Sequence, residues 1–204
     1  MTEPYTGMTN PTLVPLADKQ SIDSGQCDIT IVHQCAREKD NMQSSFKQIV
    51  EEIVATHHSL LRRELPRITE FMEALSIACS DHESLSEARQ IYAKVRTKIE
   101  THLKDEETVL FPIGICLESG DTPPPSEMDL VARLEEMEKE HDGCGKAVGT
   151  VCELVNTVEQ SKLRDQLLDA IQIVQDDLCI HVEKENAQVH PRLIQLLEAR
   201  ASVH

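Results

Sequence analysis

His181 and Glu185 stand four residues apart, a spacing that puts an imidazole and a carboxylate one above the other on one side of a helix. The residues before them identify the side. Leu167, Ile171, Val174 and Leu178 step by four, three and four, and the same alternation lands next on His181 and then on Glu185. A face that helical packing must bury therefore passes from leucine and valine straight into two titratable groups. Burying both without partners is expensive. A metal ion is the natural partner, because it accepts both groups and cancels the carboxylate's charge.

The arrangement recurs. Ile91, Val95, Ile99, His102, Glu106, Val109 and Ile113 form a second stripe with the same His-x-x-x-Glu at its centre. Leu130, Leu134, Met137, His141, Cys144, Val148 and Val151 form a third. Val50, Val54, His58, Leu61, Leu65, Ile68, Met72 and Leu75 form a fourth. A single His-x-x-x-Glu on an acidic helix means little, whereas four apolar stripes that each break for a metal-binding residue specify a site among four helices. His57 and His58 are adjacent and cannot both point at the core; the stripe selects His58. Cys144, one turn beyond His141, reads as a small core residue.

Two tyrosines, three phenylalanines and no tryptophan leave an aliphatic core for the 204 residues, enough for one domain or one domain and a tail. Long runs rich in Leu, Glu, Lys and Gln favour helix. Helices are expected over about 44–78, 84–116, 126–156 and 160–200. Pro66 and Pro191 fall inside the first and last; Pro66 should kink its helix. Ser126 with Asp129 three residues on reads as a capping box. Gly143 and Gly145 beside His141 suggest close approach of a neighbouring helix or a passage to the site, since glycine inside a helix costs about 1 kcal/mol against alanine. Asp105 and Glu107 flank Glu106 off the stripe and read as solvated charges. Fairly short connections make the fold all-α: an antiparallel up-down-up-down four-helix bundle over residues 44–204. Residues 1–43, interrupted by Pro4, Gly7, Pro11, Pro15 and Gly25, read as an N-terminal extension in which Cys27, His33 and Cys35 lie close together.

A net charge of −16 argues against nucleic acid or an anionic membrane surface as a direct partner, because both repel an acidic protein. Seven irregularly spaced cysteines, no signal-like start and no run of ~18 apolar residues give a cytoplasmic reading with free thiols.

Four or five imidazoles with two carboxylates suit iron, manganese or zinc; calcium would take oxygen alone. One ion does not need so many ligands. Two ions, each with two or three histidines and bridged by Glu106 and Glu185, use every group. Ferritin-like di-metal bundles carry Glu-x-x-His on two helices and a glutamate on each of the others. Here the order is reversed, the spacing is four and histidine dominates.

The stretches His58 to Pro66, His102 to Pro112, Glu140 to Gly145 and His181 to Pro191 resemble the hemerythrin-like domain of the repair-of-iron-centres di-iron proteins, across about residues 44–200. The resemblance implies a hemerythrin-like bundle with two non-haem iron ions, an oxo bridge, five histidines and two glutamates. Position by position these fall on His58, His82, His102, Glu106, His141, His181 and Glu185. On local pattern His82, in a polar connection, is an ordinary loop histidine; the resemblance is what adds it to the set. The implied role is recovery of iron–sulfur clusters damaged by nitric oxide or peroxide, by supplying iron, with iron–sulfur proteins as clients. Two departures stand out. The small N-terminal domain with a cysteine pair that family members often carry is not resembled by residues 1–43. His190-Pro191 stands where Phe-Pro is expected by analogy with Phe111-Pro112.

The same ligand set would also serve a carrier or sensor of O2 or NO, or a reductase of NO or peroxide. No flavin or nicotinamide motif accompanies it for the last. The resemblance favours the iron donor.

Overall fold

The computed structural model describes residues 44–80, 82–123 and 129–202. The expected N-terminal extension with Cys27, His33 and Cys35, and Ser126 of the expected capping box, lie outside the described residues.

Four long helices account for the described chain. Helix α1 runs Phe46–Ile53, through a π turn at Val54–His58, into Ser59–Ala78. Helix α2 runs Glu83–Asp105, a π turn Glu106–Leu110, then Phe111–Glu118. Helix α3 is Leu130–Asn156, and α4 runs Lys162–Lys184, a π turn Glu185–Val189, then His190–Ala201. The starts are set by side chains that satisfy otherwise free N–H groups. Ser45 and Gln48 form a reciprocal capping box at α1. Asp129 caps α3 itself, accepting from the Val131 and Ala132 N–H groups, so α3 begins at Leu130 and not near Ser126. Ser161 caps α4. Short connections make successive helices antiparallel; α1 packs along α4 and α2 along α3, and α3 against α4.

The core has two apolar parts. One holds Leu61, Leu65, Ile68, Met72 and Leu75 of α1 with Tyr92, Val95, Val151, Leu167, Ile171 and Val174. The other holds Phe46, Ile49, Val50 and Ile53 with Leu110, Phe111, Leu134, Met137, Val189 and Leu193. Along every helix, His58, His102 with Glu106, His141, or His181 with Glu185 falls between these two parts. The stripes thus stack into apolar, polar and apolar layers.

The π turns change the register that a uniform 3.6-residue period predicts. Each adds a residue to its turn and closes with an i→i−5 bond: Ser59 N–H to Val54 C=O, Phe111 N–H to Glu106 C=O, His190 N–H to Glu185 C=O. In α2 and α4 one residue stands between the end of the π turn and Pro112 or Pro191, whose rings displace the carbonyl four residues back and donate no N–H. After it the buried face of α2 moves from the expected Val109, which is half-buried, to Leu110 and Phe111. In α1 helix continues through Pro66, and the irregularity lies earlier, at Val54–His58.

Of the two glycine expectations, close approach of a neighbouring helix needs correction. A Cβ at Gly143 or Gly145 would meet nothing within 4 Å, and both residues are exposed. The close approach is at Gly114, where a Cβ would lie 2.2 Å from the Phe46 ring. Among the described residues no helix is long and apolar enough to cross a membrane.

Candidate metal centre

Six of the seven expected ligands come together: His58 from α1, His102 and Glu106 from α2, His141 from α3, His181 and Glu185 from α4. Ligand atoms of His58, Glu106, His181 and Glu185 lie within 4.8 Å of one another, and so do those of His102, His141 and Glu185. The imidazoles pair through their Nε2 atoms, His58 to His181 at 3.2 Å and His102 to His141 at 2.8 Å. Each carboxylate spans both pairs. Glu106 sets Oε2 3.4 Å from His58 Nε2 and Oε1 3.3 Å from His102 Nε2. Glu185 sets Oε1 2.7 Å from His181 Nε2 and Oε2 3.4 Å from His141 Nε2. An approximate two-fold axis thus relates His58 to His141, His102 to His181 and Glu106 to Glu185.

The donor set fits metal better than protons. Glu106 Oε2 and both Glu185 oxygens are buried without a hydrogen bond, although imidazole nitrogens stand beside them. Lone pairs that converge without aligning as hydrogen bonds are what two cations would satisfy.

The seventh expected ligand is elsewhere. His82 is the residue preceding α2, and its carbonyl accepts from the Leu85 and Ser86 N–H groups. It lies twenty positions before His102 along α2, about 30 Å at 1.5 Å per residue. No ligand role at this centre is open to it; the resemblance placed it by motif order, and the helix carries it to the opposite end of the bundle.

Both His57 and His58 are buried, contrary to the expectation that one would turn away. The added residue of the π turn is the reason: His57 continues the stripe of Ile49 and Ile53, and His58 begins that of Leu61 and Leu65. His57 Nδ1 lies 2.8 Å from Asp177 Oδ1, and its ring lies parallel to His181 with centroids 5.4 Å apart. His190, beside Pro191, is 4% exposed, and its ring lies parallel to that of His141 at 6.4 Å. Its counterpart Phe111 stacks on His58 at 5.9 Å. Cys144 is buried in the apolar layer.

Partners behind these imidazoles went unseen in the sequence. Glu107, expected to be solvated, sets Oε1 2.6 Å from His58 Nδ1 and pairs with Arg62 at 2.8 Å. Glu140 Oε2 lies 3.1 Å from His102 Nδ1, with Arg133 on its other oxygen. Asp105, likewise expected in solvent, pairs with Arg133 at 3.0 Å. Such carboxylates orient an imidazole and raise its basicity toward a metal. No spacing along one helix signals them, because each carboxylate meets an imidazole on a different helix.

Without metal the layer holds protons instead. Burial disfavours charge on His102, but Glu106 and Glu140 more than offset it and push its pKa up to about 9. Burial, with the His102 charge, pushes His141 down to about 3. Burial, with the Glu106 charge, pushes Glu185 up to about 7, while the neighbouring imidazoles hold Glu106 well below the usual range despite its burial. Two carboxylates this close do not both ionise freely.

Comparison with known proteins places this geometry in context. Residues 49–193 match the Hemerythrin HHE cation binding domain family. The chain is 23% identical over 190 residues to the iron-sulfur cluster repair protein YtfE of Cronobacter sakazakii, covering 90% of this chain and 82% of that one. It is 24% identical over 196 residues to YtfE of Dickeya chrysanthemi, covering 90% and 83%. A probable iron-sulfur cluster repair protein of Haemophilus influenzae is 25% identical over 166 residues, covering 77% and 69%.

Proposed function

The chain belongs to the hemerythrin HHE cation binding domain family, and from that premise we propose that it holds two non-haem iron ions and donates iron for the repair of iron–sulfur clusters damaged by nitrosative or oxidative stress. His58 and His181 would hold one ion and His102 and His141 the other, with Glu106 and Glu185 shared between the two pairs. The observation that supports this most is that each buried carboxylate offers one oxygen to each imidazole pair. The names of its relatives support the repair role, and their iron–sulfur clients are the proposed partners.

Iron bound here would supply redox and Lewis-acid chemistry. The residues do the rest. Glu107 and Glu140 fix the His58 and His102 rings through Nδ1 and leave Nε2 for the metal. The apolar layers on either side exclude water and tie the four helices to the ligand layer. Metal analysis with an absorption spectrum tests the centre: two irons per chain and near-ultraviolet charge-transfer bands are expected, and occupancy by zinc alone in iron-replete cells refutes it. Reactivation of a nitric-oxide-damaged cluster enzyme by the iron-loaded chain, absent with Glu185→Gln, tests the donor role.

One observation favours a second reading, a carrier or sensor of O2 or NO. A groove of about 360 Å³ walled by Val50, Val54, Phe111, Pro112 and Ile115, with Glu51 and Glu107 as its carboxylates, is separated from His58 by the Phe111 ring, and its largely apolar wall suits a small apolar gas. Reversible gas binding without iron loss would select that reading.

A further inference from the structure

The two-fold arrangement of the ligands breaks down just outside them. On the side of His58, the α1/α2 groove is largely apolar and Phe111 covers the imidazole. On the side of His141, a groove of about 490 Å³ between α3 and α4 is lined by Glu135, Glu138 and Asp142, with Lys139 as its one cation, and has His141 itself in its wall. The His141 side chain is only 9% exposed and its Nδ1 has no hydrogen-bond partner. Where the related position carries Phe111, this half carries His190. That imidazole is 5% exposed, and its Nδ1, also without a hydrogen bond, lies 4.0 Å from Glu138 Oε1. Glu138 is 59% exposed and stands in the wall of the groove.

These groups form a graded series, from solvated carboxylates through a half-exposed carboxylate–imidazole contact to the buried His102 and His141 pair. Oxygen and nitrogen donors in that order suit a ferrous ion shedding its water. We propose that the α3/α4 groove is the port through which a ferrous ion reaches and leaves the centre, with Glu135, Glu138 and Asp142 drawing the cation in and His190 passing it from Glu138 to the His102/His141 pair. The proposal rests on the reading of the centre as an iron site. The oxidation state does not change in transit, so no co-reactant is required.

A cleft lined by one sign of charge raises the arrival rate of the opposite ion by about 10- to 1,000-fold. The triple variant Glu135→Gln, Glu138→Gln, Asp142→Asn should therefore slow ferrous uptake by the stripped full-length chain about tenfold at low salt. The difference should shrink at ~1 M salt, where the screening length is about 3 Å. It should reach the wild-type iron content in the end, because none of the three residues is a ligand. His190→Phe, which installs the residue of the related half, should slow both uptake and release to a ferrous chelator. Glu51→Gln, in the wall of the other groove, is the control and should leave the rates alone. Anaerobic stopped-flow uptake and chelator release read all of these. Wild-type rates in the triple variant overturn the port while leaving the iron centre standing; a wild-type chain that takes up no iron overturns both. If His190→Phe does not fold, the triple surface variant decides by itself.

Discussion

Glu185→Gln should make the metal-free chain more stable and the iron-loaded chain less stable. Glu185 is 0% exposed, and burial together with the Glu106 charge raises its pKa from 4.5 to about 7. A carboxyl whose pKa rises on folding is favourable to the fold while protonated. That contribution is complete below pH 4.5, is lost as pH climbs toward 7, and is absent above. At 1.36 kcal/mol per pH unit, the interval from 4.5 to about 7 amounts to about 3 kcal/mol. Glutamine keeps the volume and stays neutral, so it imitates the protonated acid at every pH. The metal-free variant should therefore exceed the wild type by about 3 kcal/mol at pH 8 and by almost nothing at pH 4.5. For a chain of this size that is roughly 6–12 °C in Tm. With iron bound the sign reverses, because one anionic oxygen is lost from each imidazole pair and metal binding is linked to folding. Calorimetry of chelator-stripped and iron-loaded protein at pH 4.5, 6 and 8 measures both halves. A stripped variant that melts at or below the wild type at pH 8 refutes the reasoning, as does a gap that does not close toward pH 4.5.

Glu107→Gln should weaken iron binding at the His58/His181 pair by about 10- to 100-fold, the usual effect of removing a carboxylate behind a ligand imidazole, while Glu183→Gln changes little; an iron titration compares them. His57→Ala should keep the metal stoichiometry but cost on the order of 3 kcal/mol in a urea unfolding experiment, because Asp177 is left buried without its partner, whereas His58→Ala should lose at least one ion. Gly114→Ala should lower the melting temperature. Alanine's helix preference is worth about 1 kcal/mol, and a Cβ 2.2 Å from the Phe46 ring costs about 1–3 kcal/mol or more in displaced packing.

Helix number, helix direction and the six residues that break the stripes were legible in the chain alone. An apolar period of 3.6 is a local property, and a histidine or glutamate on it announces a burial cost that something must offset. Tertiary structure decided what that period does not encode. The π turns at Val54–His58 and Glu106–Leu110 shift the buried face by one residue, which is why His57 joins His58 inside and Leu110 replaces Val109. Glu107 and Asp177 became partners of imidazoles on other helices, since which carboxylate meets which Nδ1 depends on the register between neighbouring helices. His82 left the ligand set for the plainest reason: the rise of a helix is about 1.5 Å per residue, and twenty residues of α2 cannot be folded back.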